Sequence, residues 1–296
     1  MISRCGYVAI IGRPNVGKST LLNFILGQKI SITSRKPQTT RHQLLGIKTF
    51  KHCQVLYVDT PGIHSKQPRA INRYMNRAAL SILGSVDVVL FLLDRTAWVV
   101  DDQKVAGALN SFKGKLIVVI NKIDQLQSLN ELLSTLSKLQ GTFPQAELIP
   151  ISAATGENIA KLESLIMEHM PESPFFFPED QITDRSERFL VAETIREKLT
   201  RQLGEEIPYV VTIQVDRFEK GAEVTEIDIT IFVEKEGQKA ILIGRKGARL
   251  KKIGIDARKD IEKLLDVKVM LTTWVKVKPG WSDSDHSLQG LGYNDV

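Results

Sequence analysis

Cysteines and aromatic residues are scarce in this sequence: Cys5 and Cys53 are its only cysteines, and aromatic residues make up 6% of the 296 positions. Two cysteines cannot staple a disulfide-rich fold and they suit a reducing cytosol, so we expect both to be small core residues. A bond between them is the less favoured alternative. No apolar run approaches the roughly 18 residues that a membrane-spanning helix needs. "YVAIIG" is short and leads directly into a glycine-rich turn, so we expect no signal peptide.

Acidic residues are missing from the first 58 positions, which contain nine Lys or Arg. A second basic run, 239–263, has nine basic residues against three acidic ones, and the whole chain carries a formal net charge of +6. These runs are either two solvated faces or two surfaces that meet polyanions such as nucleic acid. Charge alone does not decide between these alternatives.

The chain is long enough for two domains, and its apolar pattern changes after about residue 170. Before that point, runs rich in Val, Ile and Leu alternate with helical stretches, which predicts a mostly parallel α/β sheet with helices on both faces. The segment "PESPFFFPEDQITDRS" predicts a linker, and the order α-β-β-α-α-β after it predicts a smaller α+β domain. We predict domains at 1–172 and 187–280, a linker at 173–186 and a tail at 281–296. The tail is either disordered or a short helix across the domain junction, and we favour the helix.

The stretch "GRPNVGKS" fits the phosphate-loop pattern G-x-x-x-x-G-K-S, directly after a predicted strand and at the start of a predicted helix. Its glycines let backbone N–H groups surround a phosphate, and the helix N-terminus adds positive potential. Lys18 would bridge the β- and γ-phosphates, and Ser19 would ligate Mg²⁺. The predicted nucleotide contacts here are Gly12, Arg13, Pro14, Asn15, Val16, Gly17, Lys18 and Ser19.

The stretch "NKID", about 100 residues later, predicts which base is bound. A carboxylate at Asp124 can accept hydrogen bonds from guanine N1–H and the exocyclic amino group, a donor pair that adenine lacks. Lys122 would lie along the base, Asn121 would tie this loop to the phosphate loop, and the N–H of Ala153 in "SAA" would meet guanine O6. The predicted contacts are Asn121, Lys122, Ile123, Asp124, Ser152 and Ala153. Together with the phosphate loop, this pattern predicts a P-loop GTPase domain.

The stretch "DTPG" is typical of a γ-phosphate sensor: Asp59 would hold Mg²⁺ through water and the Gly62 N–H would meet the γ-phosphate. The predicted contacts are Asp59, Thr60, Pro61, Gly62 and Ile63. In "QTTRH", either Thr39 or Thr40 would close on Mg²⁺, and Thr40 is favoured; the alternative is that both hydroxyls only cap turns. The predicted metal set is Ser19, Thr40 and Asp59.

Ile63 stands near the position where many GTPases carry a glutamine that orients the attacking water, so catalysis by glutamine is excluded there. Asn15 suggests a substitute, because its side-chain oxygen, with phosphate oxygens and carbonyls of the Thr39–Thr40 loop, could hold a K⁺ ion that neutralises transition-state charge. The alternative is that Asn15 only buttresses the loop. We predict slow hydrolysis that depends on Lys18, Thr40, Asn15 and Gly62.

The stretch "ILIGRKGARLKKIG" places a G-x-x-G turn between two predicted helices of the second domain. Such a turn lets a nucleic-acid backbone approach, and the cations around it attract phosphate; alone, the pattern is usually just a tight turn. Within the α-β-β-α-α-β order it predicts a single-stranded RNA site. The predicted contacts are Ile243, Gly244, Arg245, Lys246, Gly247, Arg249, Lys251 and Lys252.

Taken together, GRPNVGKS, QTTRH, DTPG, NKID, SAA and GRKG, with "FPEDQITDRSERF" and "WVKVKPGW", resemble the Era family of bacterial GTPases over nearly the whole chain. The resemblance implies a G domain followed by a type-2 KH domain. It further implies a monomer that assists assembly of the small (30S) ribosomal subunit by binding the 3′ end of 16S rRNA. The implied location is the cytoplasm, with a peripheral inner-membrane pool. The alternatives are a membrane-associated signalling GTPase whose basic module contacts lipid, and an RNA-binding module with a vestigial GTPase.

Overall fold

The structure is a computed structural model that describes residues 2–34, 36, 39–62, 69–204, 207–291 and 293. The first domain is built on a six-stranded sheet in the order β2-β3-β1-β4-β5-β6. All neighbouring strands are parallel except β2 and β3, which are antiparallel. The strands are β1 (Arg4–Ile11), β2 (Leu44–Phe50), β3 (Cys53–Asp59), β4 (Val88–Asp94), β5 (Lys115–Asn121) and β6 (Glu147–Pro150).

Two apolar cores, one on each face of this sheet, hold the helices of the first domain. The helices are α1 (Lys18–Leu26), α2 (Ala70–Ser81), α3 (Val100–Leu109), α4 (Leu129–Thr142) and α5 (Ile159–Glu168). Every residue of β3 and β4 is buried, as continuous apolar strands in a covered parallel sheet require. Cys5 and Cys53 are free and buried, which confirms their predicted place in the core.

Strand β2 was not predicted from the sequence. Only part of it is buried, and its second half, from Lys48 to Phe50, is partly exposed. It is an edge strand of the sheet, so it lacks the continuous apolar run that reveals β3 and β4. Its place beside β3 brings the loop after α1 back toward the carboxyl ends of the strands.

The linker lies against the first domain. The buried side chain of Gln54 accepts hydrogen bonds from the backbone N–H groups of Phe176 and Phe177 and donates one to the Phe177 carbonyl. Phe175 and Phe177 pack on a small core with Cys5. Further along, Ile182 accepts a 2.7 Å hydrogen bond from Ile47 N–H on β2. The linker is therefore held in place by β2 and β3.

The second domain follows the predicted order α-β-β-α-α-β. Its elements are α6 (Glu187–Gln202), β7 (Thr212–Lys220), β8 (Val224–Val233), α7 (Glu236–Ile243), α8 (Ala248–Leu265) and β9 (Lys268–Val277). The sheet order is β7-β8-β9, with β8 antiparallel to β7 and parallel to β9. One apolar core joins α6 and α8 to this sheet. The residues at which the domains begin and end stay predictions.

The tail forms a short helix, α9 (Asp285–Gly290), as favoured from the sequence. Trp281, Leu288 and Tyr293 are buried against Ile71 and Met75 of α2, so the tail joins the second domain to the helix that follows "DTPG". In the described part of the chain, no helix combines the length and apolar character needed to cross a bilayer.

Candidate nucleotide-binding site and nucleic-acid interface

The phosphate loop connects β1 to α1 at the carboxyl edge of the sheet. Gly17 adopts a φ of 104°, and a Cβ atom on it would lie 2.2 Å from Asn121 Nδ2. Only glycine therefore allows the loop to turn here and to pack against the end of β5. The loop lines a cavity of about 130 Å³, and helix α1 begins at Lys18 with its free N–H groups at this loop.

Lys18 is buried, and its ammonium group donates 3.0 Å hydrogen bonds to the carbonyl oxygens of Gly12 and Arg13. Burial lowers the pKa of Lys18 to about 8, although the nearby Asp59 carboxylate favours the charged form. A bound phosphate would favour the charged form of this buried ammonium group.

Three side-chain oxygens meet beside this lysine. Ser19 Oγ donates a 2.7 Å hydrogen bond to Asp59 Oδ2, and it lies 2.9 Å from Thr40 Oγ1. Asp59 is fully buried, which raises the pKa of its carboxyl group, and its second oxygen has no hydrogen-bond partner among the described residues. Hard oxygen ligands and an unsatisfied buried carboxylate oxygen fit Mg²⁺, which would stabilise the ionised form.

Thr39 and Thr40, the two candidate Mg²⁺ ligands of "QTTRH", have different hydrogen-bond partners. Thr39 Oγ1 donates a 2.6 Å hydrogen bond to the Lys36 carbonyl, whereas Thr40 faces Ser19. The structure thus brings together the side chains of the predicted metal set of Ser19, Thr40 and Asp59, while the Thr39 hydroxyl contacts the Lys36 carbonyl instead. Their role as metal ligands stays a prediction.

The predicted base-binding residues form a second group at the ends of β5 and β6. Asn121 Nδ2 donates a 2.7 Å hydrogen bond to the Val16 carbonyl, so this loop is tied to the phosphate loop. Ser152 Oγ donates a 2.6 Å hydrogen bond to Asp124, which orients the carboxylate. The Ala153 N–H donates to Asn121 Oδ1 at 2.9 Å. A contact from this N–H to guanine O6 would have to share or replace that bond.

Two residues of the site were missed by sequence reasoning. Asp94, at the end of β4, accepts a 2.7 Å hydrogen bond from Lys122 Nζ, which also donates to the Asn15 carbonyl. Ser31 Oγ donates a 2.8 Å hydrogen bond to Asp59. A carboxylate at the carboxyl end of a buried parallel strand is a recognisable signal, so Asp94 was predictable. Ser31 lies in a loop without any such pattern.

Gly62 lies against the phosphate loop, since a Cβ atom on it would come within 2.9 Å of Pro14 backbone atoms. Thr60 donates a 2.9 Å hydrogen bond to the Ile10 carbonyl, which fixes the preceding turn. Asn15 adopts a φ of 66° and lines the same cavity. Ile63 lies outside the described residues.

The G-x-x-G turn lies between α7 and α8. Gly244, Lys246 and Gly247 all have positive φ values, of 71°, 51° and 76°. Arg249 donates a 2.6 Å hydrogen bond to the Ile241 carbonyl at the end of α7. The other predicted cations are exposed and form no ion pair within the described ranges: Arg245, Lys246, Lys251 and Lys252. Unpaired cations beside a compact turn provide the geometry that a nucleic-acid backbone requires.

Two family models match the chain. Residues 7–122 match the model described as a 50S ribosome-binding GTPase, and residues 206–282 match the model of the KH domain. The GTPase Era of Pseudomonas putida strain W619 is 57% identical over 294 residues, which cover 99% of this chain and 98% of the relative. The GTPase Era of Ectopseudomonas mendocina strain ymp shows the same identity and coverage.

Solved Era structures share the whole architecture. An Aquifex aeolicus Era variant bound to GDP·AlF4⁻ superposes with a TM-score of 0.95 at 38% identity, over 98% of this chain and 99% of that one. Era in complex with MgGDPNP and nucleotides 1506–1542 of 16S ribosomal RNA gives the same values. The similarity thus extends over both domains, in the same order, along nearly the full length, and the chain belongs to the Era family of GTPases.

Proposed function

We propose that this GTPase is a nucleotide-controlled RNA-binding switch that assists assembly of the small ribosomal subunit by binding the 3′ end of 16S rRNA. The observation that carries the proposal is the exposed cationic turn, in a chain whose Ser19, Thr40 and Asp59 oxygens also meet beside the phosphate loop. The Era complex with MgGDPNP and 16S RNA nucleotides, at a TM-score of 0.95, supports this choice of RNA. The family model names the 50S subunit, so the RNA has to be tested directly.

Hydrolysis would proceed by attack of water on the γ-phosphorus, and the bond to the β-phosphate oxygen would break to give GDP and phosphate. Lys18 and the N–H groups at the start of α1 would stabilise the charge that develops on the phosphate oxygens. The Gly62 N–H would contact the γ-phosphate. Thr40 would hold the loop between α1 and β2 against the nucleotide. Ser19, Thr40 and Asp59 would hold Mg²⁺, which would supply neutralisation of the charge on the phosphate oxygens.

We expect the protein to bind a labelled RNA from the 16S 3′ end more tightly with a non-hydrolysable GTP analogue than with GDP. Fluorescence anisotropy at fixed ionic strength in K⁺ buffer measures this difference. The expected gain is about 5- to 150-fold, the usual range for coupled sites. Gly247→Asp should abolish RNA binding, because it places a negative charge where phosphate approaches.

Other results would redirect the proposal. Equal binding with both nucleotides would leave an RNA-binding module whose G domain responds to another partner. Binding to anionic vesicles that survives Gly247→Asp, without RNA binding, would favour a membrane-associated signalling GTPase. An absence of hydrolysis even with RNA would favour a vestigial GTPase.

We also propose that K⁺ assists hydrolysis. Asn15 lines the phosphate cavity, whereas the Thr39 carbonyl already accepts a hydrogen bond from Arg196, so Asn15 and phosphate oxygens would provide most of the ligands. We expect faster GTP turnover in KCl than in NaCl of equal concentration, and loss of that difference in Asn15→Ala. Phosphate release under single-turnover conditions measures it. Equal rates in both salts for the unchanged protein would refute the role of K⁺.

Cellular location and oligomeric state depend on the family resemblance alone. We propose a monomeric cytoplasmic protein with a peripheral inner-membrane pool. Fractionation of cells and light scattering of the purified protein would test these two statements.

A further inference from the structure

The described residues of the loop between α1 and β2, which are 27–34, 36 and 39–43, form one wall of the phosphate cavity and also contact helix α6 of the second domain. Thr33, Lys36, Thr39 and Thr40 of this loop line the cavity. Lys36 donates hydrogen bonds to the carbonyl oxygens of Leu203 and Gly204, just after α6. The position of the loop therefore depends on a helix that carries no nucleotide motif.

Glu197 is the centre of this contact. It lies on α6 with none of its surface exposed, and its Oε1 accepts hydrogen bonds from Thr33 N–H at 3.0 Å and Thr33 Oγ1 at 3.3 Å. Lys29 forms an ion pair with its other oxygen, and Arg201 forms one with Oε1 at 2.8 Å. Arg201 also donates to the Thr33 carbonyl at 3.1 Å. Thr33 is thus held at its N–H, its hydroxyl and its carbonyl.

Arg196, the adjacent residue on α6, contacts the other end of the loop. It is 3% exposed, and its guanidinium group is held by Glu193 through bonds of 2.8 and 2.5 Å. Its Nη2 also donates to the Thr39 carbonyl, directly before Thr40. Thr40 in turn lies 2.9 Å from Ser19 in the predicted metal set.

We propose that Glu197 and Arg196 are positioning residues of the nucleotide site: they hold the α1–β2 loop where Thr40 meets Mg²⁺ and the γ-phosphate. This inference uses the Mg²⁺ placement given under Proposed function, but it does not depend on RNA binding. It assigns to the second domain a direct part in selecting GTP over GDP.

The energetic basis is the buried carboxylate. Removing a carboxylate from water is costly unless hydrogen bonds and charges compensate it, and two of the partners of Glu197, Lys29 and Thr33, belong to the first domain. A loop that moves away from the cavity would leave Glu197 buried with fewer partners. The closed loop and the docked α6 therefore favour each other, and a ligand that needs the closed loop gains affinity from the contact.

The test is Glu197→Gln in the full chain, which keeps the shape of the side chain and removes its charge. We expect the dissociation constant of a fluorescent, non-hydrolysable GTP analogue to rise about tenfold in the presence of Mg²⁺, within the range for coupled sites. The value for fluorescent GDP should change less than about twofold. The Mg²⁺ concentration needed for half-maximal binding of the GTP analogue should also rise.

Glu187→Gln is the matched control, because Glu187 is an exposed carboxylate on the same helix that pairs with Lys220 of its own domain. It should leave both affinities unchanged. Arg201→Gln is a second variant for the case in which Glu197→Gln does not fold. The Arg201 side chain is half-exposed and contacts both Thr33 and Glu197. It should shift the GTP-to-GDP affinity ratio in the same direction. Equal losses for both nucleotides, or an unchanged ratio in the folded variants, would overturn the proposal, and neither result involves RNA.

Discussion

Asp124→Asn is expected to abolish GTP binding at concentrations that saturate the unchanged protein, and to create binding of xanthosine triphosphate. The carboxylate accepts two hydrogen bonds from guanine in the predicted site, each worth about 1.5–3 kcal/mol because the acceptor is charged. Asparagine keeps one acceptor oxygen for guanine N1–H, but its amide group would face the exocyclic amino group donor to donor, so one charged hydrogen bond is lost and a donor stays unsatisfied. This change should weaken GTP binding by about 10²–10⁴-fold. Xanthine carries an oxygen in place of the exocyclic amino group, and the asparagine amide can donate to it.

Equilibrium titration with fluorescent GDP and its xanthosine counterpart measures this exchange of specificity. Asp124 is exposed, so we expect the free energy of unfolding to stay within about 0.5 kcal/mol. The Ser152 hydroxyl that now donates to Asp124 can donate equally to an asparagine oxygen. If the variant bound GDP as tightly as the unchanged protein, Asp124 would not be the residue that reads the base.

Gly17→Ala is expected to be the most damaging single-methyl change in the site. The added Cβ would lie 2.2 Å from Asn121 Nδ2, so the 2.7 Å bond from Asn121 to the Val16 carbonyl would break. The φ of 104° is also strained for alanine. The phosphate loop and the base-binding loop would then move apart. We expect the affinity for both GDP and GTP to fall at least about 100-fold, the size of two lost hydrogen bonds.

Gly27→Ala provides the matched control, because Gly27 ends the same helix with a φ of 66° and no atom within 4 Å of an added Cβ. It should lower the free energy of unfolding by about 1–2 kcal/mol, the cost of a left-handed alanine, and leave nucleotide affinity unchanged. Thermal unfolding and nucleotide titration of both variants separate the two effects. Normal affinity in Gly17→Ala would show that the two loops need not pack this closely.

Much of the fold was predictable because local patterns recur at fixed spacing. Buried strands such as β4 are continuous apolar runs, and the phosphate loop needs glycine at Gly17 for a backbone reason that the motif records. The motif residues meet in space because parallel strands end at one edge of the sheet. Asp94 obeys the same rule and was overlooked only because no named motif contains it.

Contacts between the domains were not predictable in this way. Glu197 and Arg196 occur in "VAETIREKLT", an amphipathic helix whose charged residues would ordinarily face solvent. Their burial depends on the docking of α6 against the α1–β2 loop, which is separated from them by more than 150 residues. No local period encodes such a pairing.

The linker contacts also bear on aggregation. Strand β2 is one of the two edge strands of the six-stranded sheet, and unpaired strand edges favour pairing with other chains. Here the edge is covered by the linker itself: Thr183 pairs with Gly46, and Arg185 donates a 2.5 Å hydrogen bond to the Gln43 carbonyl. A fragment that ends at residue 172 would leave the β2 edge exposed. A fragment that ends after Arg185 would keep the linker residues that cover it. The segment that joins the two domains thus also protects the β2 edge of the first domain from pairing with other chains.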